Sequence, residues 1–189
     1  MGYTHYWAYP PSHPRYAEEW PRLVQDTRVI LDRIQRAGIT IAGPAGHGEA
    51  ILNQRTRIAF NGPAGDDDHD TFALLPPLPA PPQGTPVATA FCKTNRAPYD
   101  LAVTAVLLHC HLLLPDLFHI NSDGTWDKEW ARGAAPEDPT LPADPLNPRD
   151  LVADLFHTTA ATSPLQRLDV SLDAFRGFIQ PDPADGSPS

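Results

Sequence analysis

The chain has 189 residues, 41% of them apolar, with a formal charge of −9, 23 prolines and two cysteines. That is one domain's worth of chain, long enough to bury a core without covalent staples. The acidic balance, with 14 Lys and Arg residues that form no run, argues against nucleic acid or an anionic membrane surface as partner.

MGYTHYW at the start lacks the basic and apolar regions of a signal peptide, so a soluble, cytoplasmic protein is expected. Residues 2–9 alternate and are rich in aromatics, which predicts a strand with Tyr3, His5 and Trp7 on one face. From Glu18 to Ala37, Leu23, Val24, Thr27, Ile30, Leu31 and Ile34 recur at helical spacing, and Gly38 is a suitable stop. Short strands are predicted at 39–42, 55–61, 71–75 and 87–94, with turns at the two GPAG segments and an extended Pro-rich loop over 75–86. Pro98 opens a second helix over 99–114, a strand follows at 118–121, and a short helix is expected near 128–132. The apolar run 101–114 contains His109 and His111 and is too short to span a bilayer. This order predicts an α+β domain over 1–132, a mostly antiparallel sheet with two main helices on one face. A Pro-rich linker over 133–150 leads to short docking helices over 151–180, carried by Leu151, Leu155, Phe156, Leu172, Phe175 and Ile179, and to a disordered tail over 181–189.

The segments GYTHYW (2–7), FNG (60–62), FCKTNRAPYD (91–100) and NSDGTWD (121–127) together resemble an uncharacterised family of short phage- and prophage-encoded proteins. The resemblance covers about the first 130 residues and implies an accessory protein in the cytoplasm of a bacterial host. It carries over no activity, ligand or catalytic residue.

Among the residues themselves, Lys93, Thr94 and Arg96 sit between a strand end and a helix start, with Tyr99 and Asp100 in the first turn. Cations, a hydroxyl and free backbone donors there suit an anion; the alternative is a closed turn, a dipole-stabilising Asp100 and a solvated Arg96. Tyr3, His5 and Trp7 suit either a stacking platform with His5 as an acid–base group, or an ordinary core strand. Asn121, Ser122 and Asp123 read first as a turn, and Asp123 also as a candidate base. The acidic run 66–70 lacks calcium-loop spacing, and His109, Cys110 and His111 diverge by about 100° per residue on a helix, so no metal site is expected. No cofactor fingerprint, nucleophile elbow or zinc motif is present, and of the paired H-x-[ST] motifs of two-histidine phosphoesterases only His157-Thr158-Thr159 exists. The leading expectation is a binder of a small phosphorylated, nucleotide-like ligand, with a counter-defence role. The alternatives are a phosphate-ester hydrolase or transferase using His5 and Asp123, and a protein–protein module acting as a homodimer or on a host protein.

Overall fold

The computed structural model describes residues 2–80, 86–132 and 146–166. It is an α+β fold of two antiparallel three-stranded sheets and four helices among the described residues. Strand β1 (Thr4–Tyr9) runs between β5 (Ala88–Lys93) and β6 (His119–Ser122), pairing Thr4 with Lys93 and His5 with both Cys92 and Ser122. The second sheet orders β2 (Ile51–Asn53), β3 (Arg57–Phe60) and β4 (Phe72–Leu74) around β3. The antiparallel character follows the sequence expectation, but the strands divide over two sheets. The strand expected at 39–42 contributes only a single bridge, Ala42 to Asn61. No helix among the described residues is long and apolar enough to cross a membrane.

Helix α1 (Pro14–Arg36) starts four residues before the predicted Glu18. Pro14 sits in its first turn, where a missing N–H costs nothing, and the His13 side chain accepts the Arg15 N–H at 3.2 Å. The added turn buries Tyr16, which with Trp20 falls in line with Leu23, Val24, Thr27, Ile30, Leu31 and Ile34. At the other end Gly38 takes φ 88°, the left-handed value a helix stop requires. Helix α2 (Asp100–Leu113) is buried from Leu101 to Cys110 without interruption, so it is apolar all round and forms the centre of the molecule. It packs against α1, β6 and α4 (Pro148–Phe156). Helix α4 begins inside the segment expected to be linker and places Leu151 and Val152 in the same buried cluster as α2. Residues 133–145 and 167–189, including Leu172, Phe175 and Ile179, lie outside the described residues.

Aromatic contacts join the sheets. The Trp7 and Phe72 ring centroids are 5.0 Å apart, and Phe60 lies 4.8 Å from Phe72. Asp70 adds a polar staple: its backbone N–H donates to the Lys93 carbonyl, its carboxylate accepts the Lys93 N–H at 2.9 Å, and its carbonyl accepts the Tyr99 hydroxyl at 2.9 Å. Both thiols are fully buried, and burial raises their pKa well above the usual thiol range.

The two helical histidines on α2 serve packing. His111 Nδ1 donates to the Phe118 carbonyl at 2.8 Å. His109, 2% exposed, donates from Nε2 to Asp26 at 2.7 Å and stacks on Phe156 of α4 at 4.0 Å. Burial lowers the His109 pKa, the Asp26 hydrogen bond and charge opposing it. The folded state therefore resists protonating a group that the unfolded chain protonates near about 6.5. The stabilisation is present above that value and lost as pH falls. Thermal unfolding followed by circular dichroism should show a midpoint that declines from pH 7 to pH 5, and His109→Gln should flatten that decline. An identical slope in the variant would refute the assignment.

Candidate functional site

Of the two readings of Tyr3, His5 and Trp7, a stacking platform or a core strand, the burial of all three follows the second. Trp7 is 1% exposed and belongs to the contact between sheets. Tyr3 lines a cavity of about 340 Å³, and fully buried His5 lies behind Asp100 of its wall. Its walls come from four places: Tyr3 just before β1, Arg96 and Ala97 of the loop after β5, Asp100, Leu101 and Thr104 of α2, and the segment Lys128–Trp130 that enters α3 (Glu129–Arg132). Pro148, at the start of α4, closes the remaining side.

The loop is held in an uncommon shape. The Thr94 and Asn95 N–H groups both donate to the Tyr3 carbonyl, at 3.0 and 3.1 Å. Asn95 and Arg96 then adopt φ 53° and 63°. Left-handed backbone costs a non-glycine residue about 1–2 kcal/mol, and consecutive examples persist only where the surroundings impose them. The result swings Arg96 back over the Tyr3 ring, with its guanidinium carbon 4.1 Å from the centroid.

Asp100 is the hub of the polar contacts. Its Oδ1 accepts from His5 Nε2 at 2.7 Å and from the Thr94 hydroxyl. His5 is fully buried between the edges of Tyr3 and Trp130, and its Nδ1 has no hydrogen-bond partner. Burial, with the Asp100 charge behind it, pushes the Tyr3 phenol up to about 12, so it stays neutral. Its hydroxyl meets Ser122 and passes so close to Gly124 that a Cβ there would fall 2.1 Å from it. Ser122 Oγ also accepts Trp130 Nε1 at 3.2 Å and the Gly124 N–H at 2.9 Å, fixing the indole wall. Glu129 accepts the Thr125 N–H and hydroxyl at 2.7 and 3.0 Å, and the backbone bond is the main reason its pKa is lowered. Asp100 is thus engaged through Oδ1, and Glu129 through Oε2. The side chains of Arg96 and Lys128 have no hydrogen-bond or ion-pair partner among the described residues.

Several expected site residues lie elsewhere. Lys93 is exposed and does not line the cavity; strand alternation puts it opposite Cys92, with its methylenes against Gly2. Thr94 is fully buried and its hydroxyl is committed to Asp100. Tyr99 is buried against Asp70. Asn121 pairs with Tyr6 and so shares the face away from His5. Asp123 accepts the Thr4 N–H at 2.9 Å and returns its own N–H to the Thr4 carbonyl, which makes it a turn clamp. His5 pairs with Asp100 and makes no recorded contact with Asp123. The helix start is also closed to an anion: the Asp100, Leu101 and Ala102 N–H groups donate to the Ala97, Pro98 and Tyr99 carbonyls at 2.8, 3.4 and 2.9 Å.

Lys128, Glu129 and Trp130 were not singled out from sequence. The available signal was that Lys128 is one of only two lysines and lies between Trp126 and Trp130. Among the described residues no group of three or more His, Cys, Asp or Glu side chains is gathered for a metal ion. In comparisons with protein-family models, curated proteins and solved structures, nothing matches this chain.

Proposed function

We propose that the cavity binds a small phosphorylated ligand with a ring or other apolar portion. The observation that carries this reading is the pair of cations, Arg96 and Lys128, which line one cavity and make no side-chain hydrogen bond or ion pair among the described residues. The volume of about 340 Å³ sits at the lower end of the usual range of ligand sites, and accommodates one mononucleotide-sized molecule. Ala97, Leu101, Pro148 and the Trp130 edge supply the apolar contacts.

Charge narrows the class. Arg96 and Lys128 face Asp100 and Glu129, so the lining sums to about zero, inside a chain of charge −9. A triphosphate would meet net repulsion, whereas a single phosphate or phosphodiester meets two cations at short range and little opposing field. The preferred ligand is accordingly a monophosphate or a cyclic nucleotide. A phage-type accessory setting for such binding rests on the resemblance of the GYTHYW, FCKTNRAPYD and NSDGTWD segments alone.

Calorimetric titration with cyclic AMP, cyclic GMP, AMP and ATP tests the reading. Arg96→Ala removes a charge-assisted contact of about 1.5–3 kcal/mol, a loss of about ten- to a hundredfold in affinity, and leaves the fold intact. No heat from any member of the panel, or tighter binding of ATP than of the monophosphates, would sink it.

A further inference from the structure

The carboxylate of Asp100 is arranged asymmetrically. His5 Nε2 and the Thr94 hydroxyl both converge on Oδ1, which fixes the plane and rotation of the group. Oδ2 takes part in no hydrogen bond among the described residues, on a side chain that is 20% exposed and lines the cavity. A buried pair of donors behind one oxygen and an open second oxygen is the geometry of an oriented general base. His5, which does the orienting, is fully buried with an unpartnered Nδ1; buried His109 on Asp26 shares that arrangement, but the aspartate that His5 holds lines the cavity. The loop that brings Arg96 to the same cavity holds two successive left-handed residues, and such strain gathers where function over-determines the backbone.

We infer that the cavity hydrolyses its ligand, with Asp100 as the catalytic base toward a water molecule and a phosphodiester as substrate. The inference rests on the binding reading above. Asp100 Oδ2 takes a proton from water as the water oxygen bonds to phosphorus. The phosphorus–oxygen bond to the leaving alkoxide breaks, and the alkoxide takes a proton from the Lys128 ammonium. Asp100 then releases its proton to solvent and Lys128 regains one, so the net change is one water added across one diester bond. Arg96 stabilises the charge that builds on the phosphoryl oxygens. His5 is a positioning residue, acting through Asp100 alone.

The test uses the full chain, with cyclic AMP and bis-p-nitrophenyl phosphate as probes. Binding is read by calorimetry and product by chromatography and nitrophenolate absorbance. Wild-type protein should bind and turn over at least one probe. Asp100→Asn should lower kcat by about a hundredfold or more while Kd changes little. Should asparagine unseat the helix start, visible as lost binding, Asp100→Glu retains the charge, displaces the base and should lose kcat similarly. His5→Gln, which keeps an N–H donor toward Asp100, should retain turnover that His5→Leu loses at equal binding; a merely structural His5 would not give that split. Binding without product overturns the catalytic inference and leaves the binder. No binding of either probe overturns both. Full activity in Asp100→Asn overturns the role of Asp100.

Discussion

Phe72→Ala is expected to lower the free energy of unfolding by about 3–5 kcal/mol, the usual cost of emptying a fully buried phenyl site. Phe72 is fully buried on β4, and its ring is the one that meets both Phe60 of its own sheet and Trp7 of the other. The loss is therefore a contact between layers as well as buried area, and the rigid β1 and β3 backbones give neighbouring side chains little room to collapse into the gap. A domain of this size holds about 5–15 kcal/mol in total, so the loss is a large fraction of its stability. Urea unfolding followed by tryptophan fluorescence checks this through the midpoint at constant slope. A change under about 1 kcal/mol would show that the two sheets are joined mainly by the Asp70 staple.

Val152→Asp should have a comparably large effect, and one that reaches the cavity. Val152 is fully buried where α4 lies on α2, and an unpaired carboxylate there costs several kcal/mol. Helix α4 has only nine residues, so the cheapest relief is for it to lift away. That movement withdraws Pro148 from the cavity wall, Arg149 from its seat 4.4 Å over the Trp126 ring, and Phe156 from His109. Affinity for the phosphorylated ligand should fall about tenfold or more although no ligand contact has been replaced. Hydrogen exchange at the α4 amides and calorimetry on the same sample separate the outcomes. Rapid exchange with unchanged affinity would show that α4 is dispensable to the site.

How much of this was legible in the sequence follows from how local each signal is. Leu23, Val24, Ile30, Leu31 and Ile34 announce α1 by spacing alone, and the aromatic alternation of Tyr3, His5 and Trp7 announces β1. The first turn of α1 was hidden because Pro10, Pro11 and Pro14 cluster ahead of Glu18 and read as breaks, although Pro14 sits where a helix tolerates it. The division into two sheets was not legible, since it depends on which strands meet across many intervening residues. The same reason governs the site. Tyr3, His5, Arg96 and Asp100 could be named from residue type and place. That His5 pairs with Asp100, and that Asp123 clamps Thr4, depends on the register of β1 against β5 and β6. Lys93 and Arg96, three residues apart, part company because one lies on an alternating strand and the other on a left-handed turn.

Strand β1 is central, yet both of its neighbours lie far along the chain. The Thr4–Asp123 bond closes a span of 119 residues and the His5–Asp100 bond one of 95. Helices α1 and α2 can form from local contacts within microseconds, whereas this sheet cannot close until those long loops have lost their freedom. Assembly should thus be slow and hierarchical, with the helices and the β2–β3–β4 meander early and β1 threaded late between strands already in place. Until then a segment of six residues bearing Tyr6, Trp7 and Tyr9 stays unpaired. The cavity, which needs Tyr3 beside that strand and Asp100 held by its His5, is the last part of the molecule to exist, and an interrupted folding event would yield a compact chain that binds nothing.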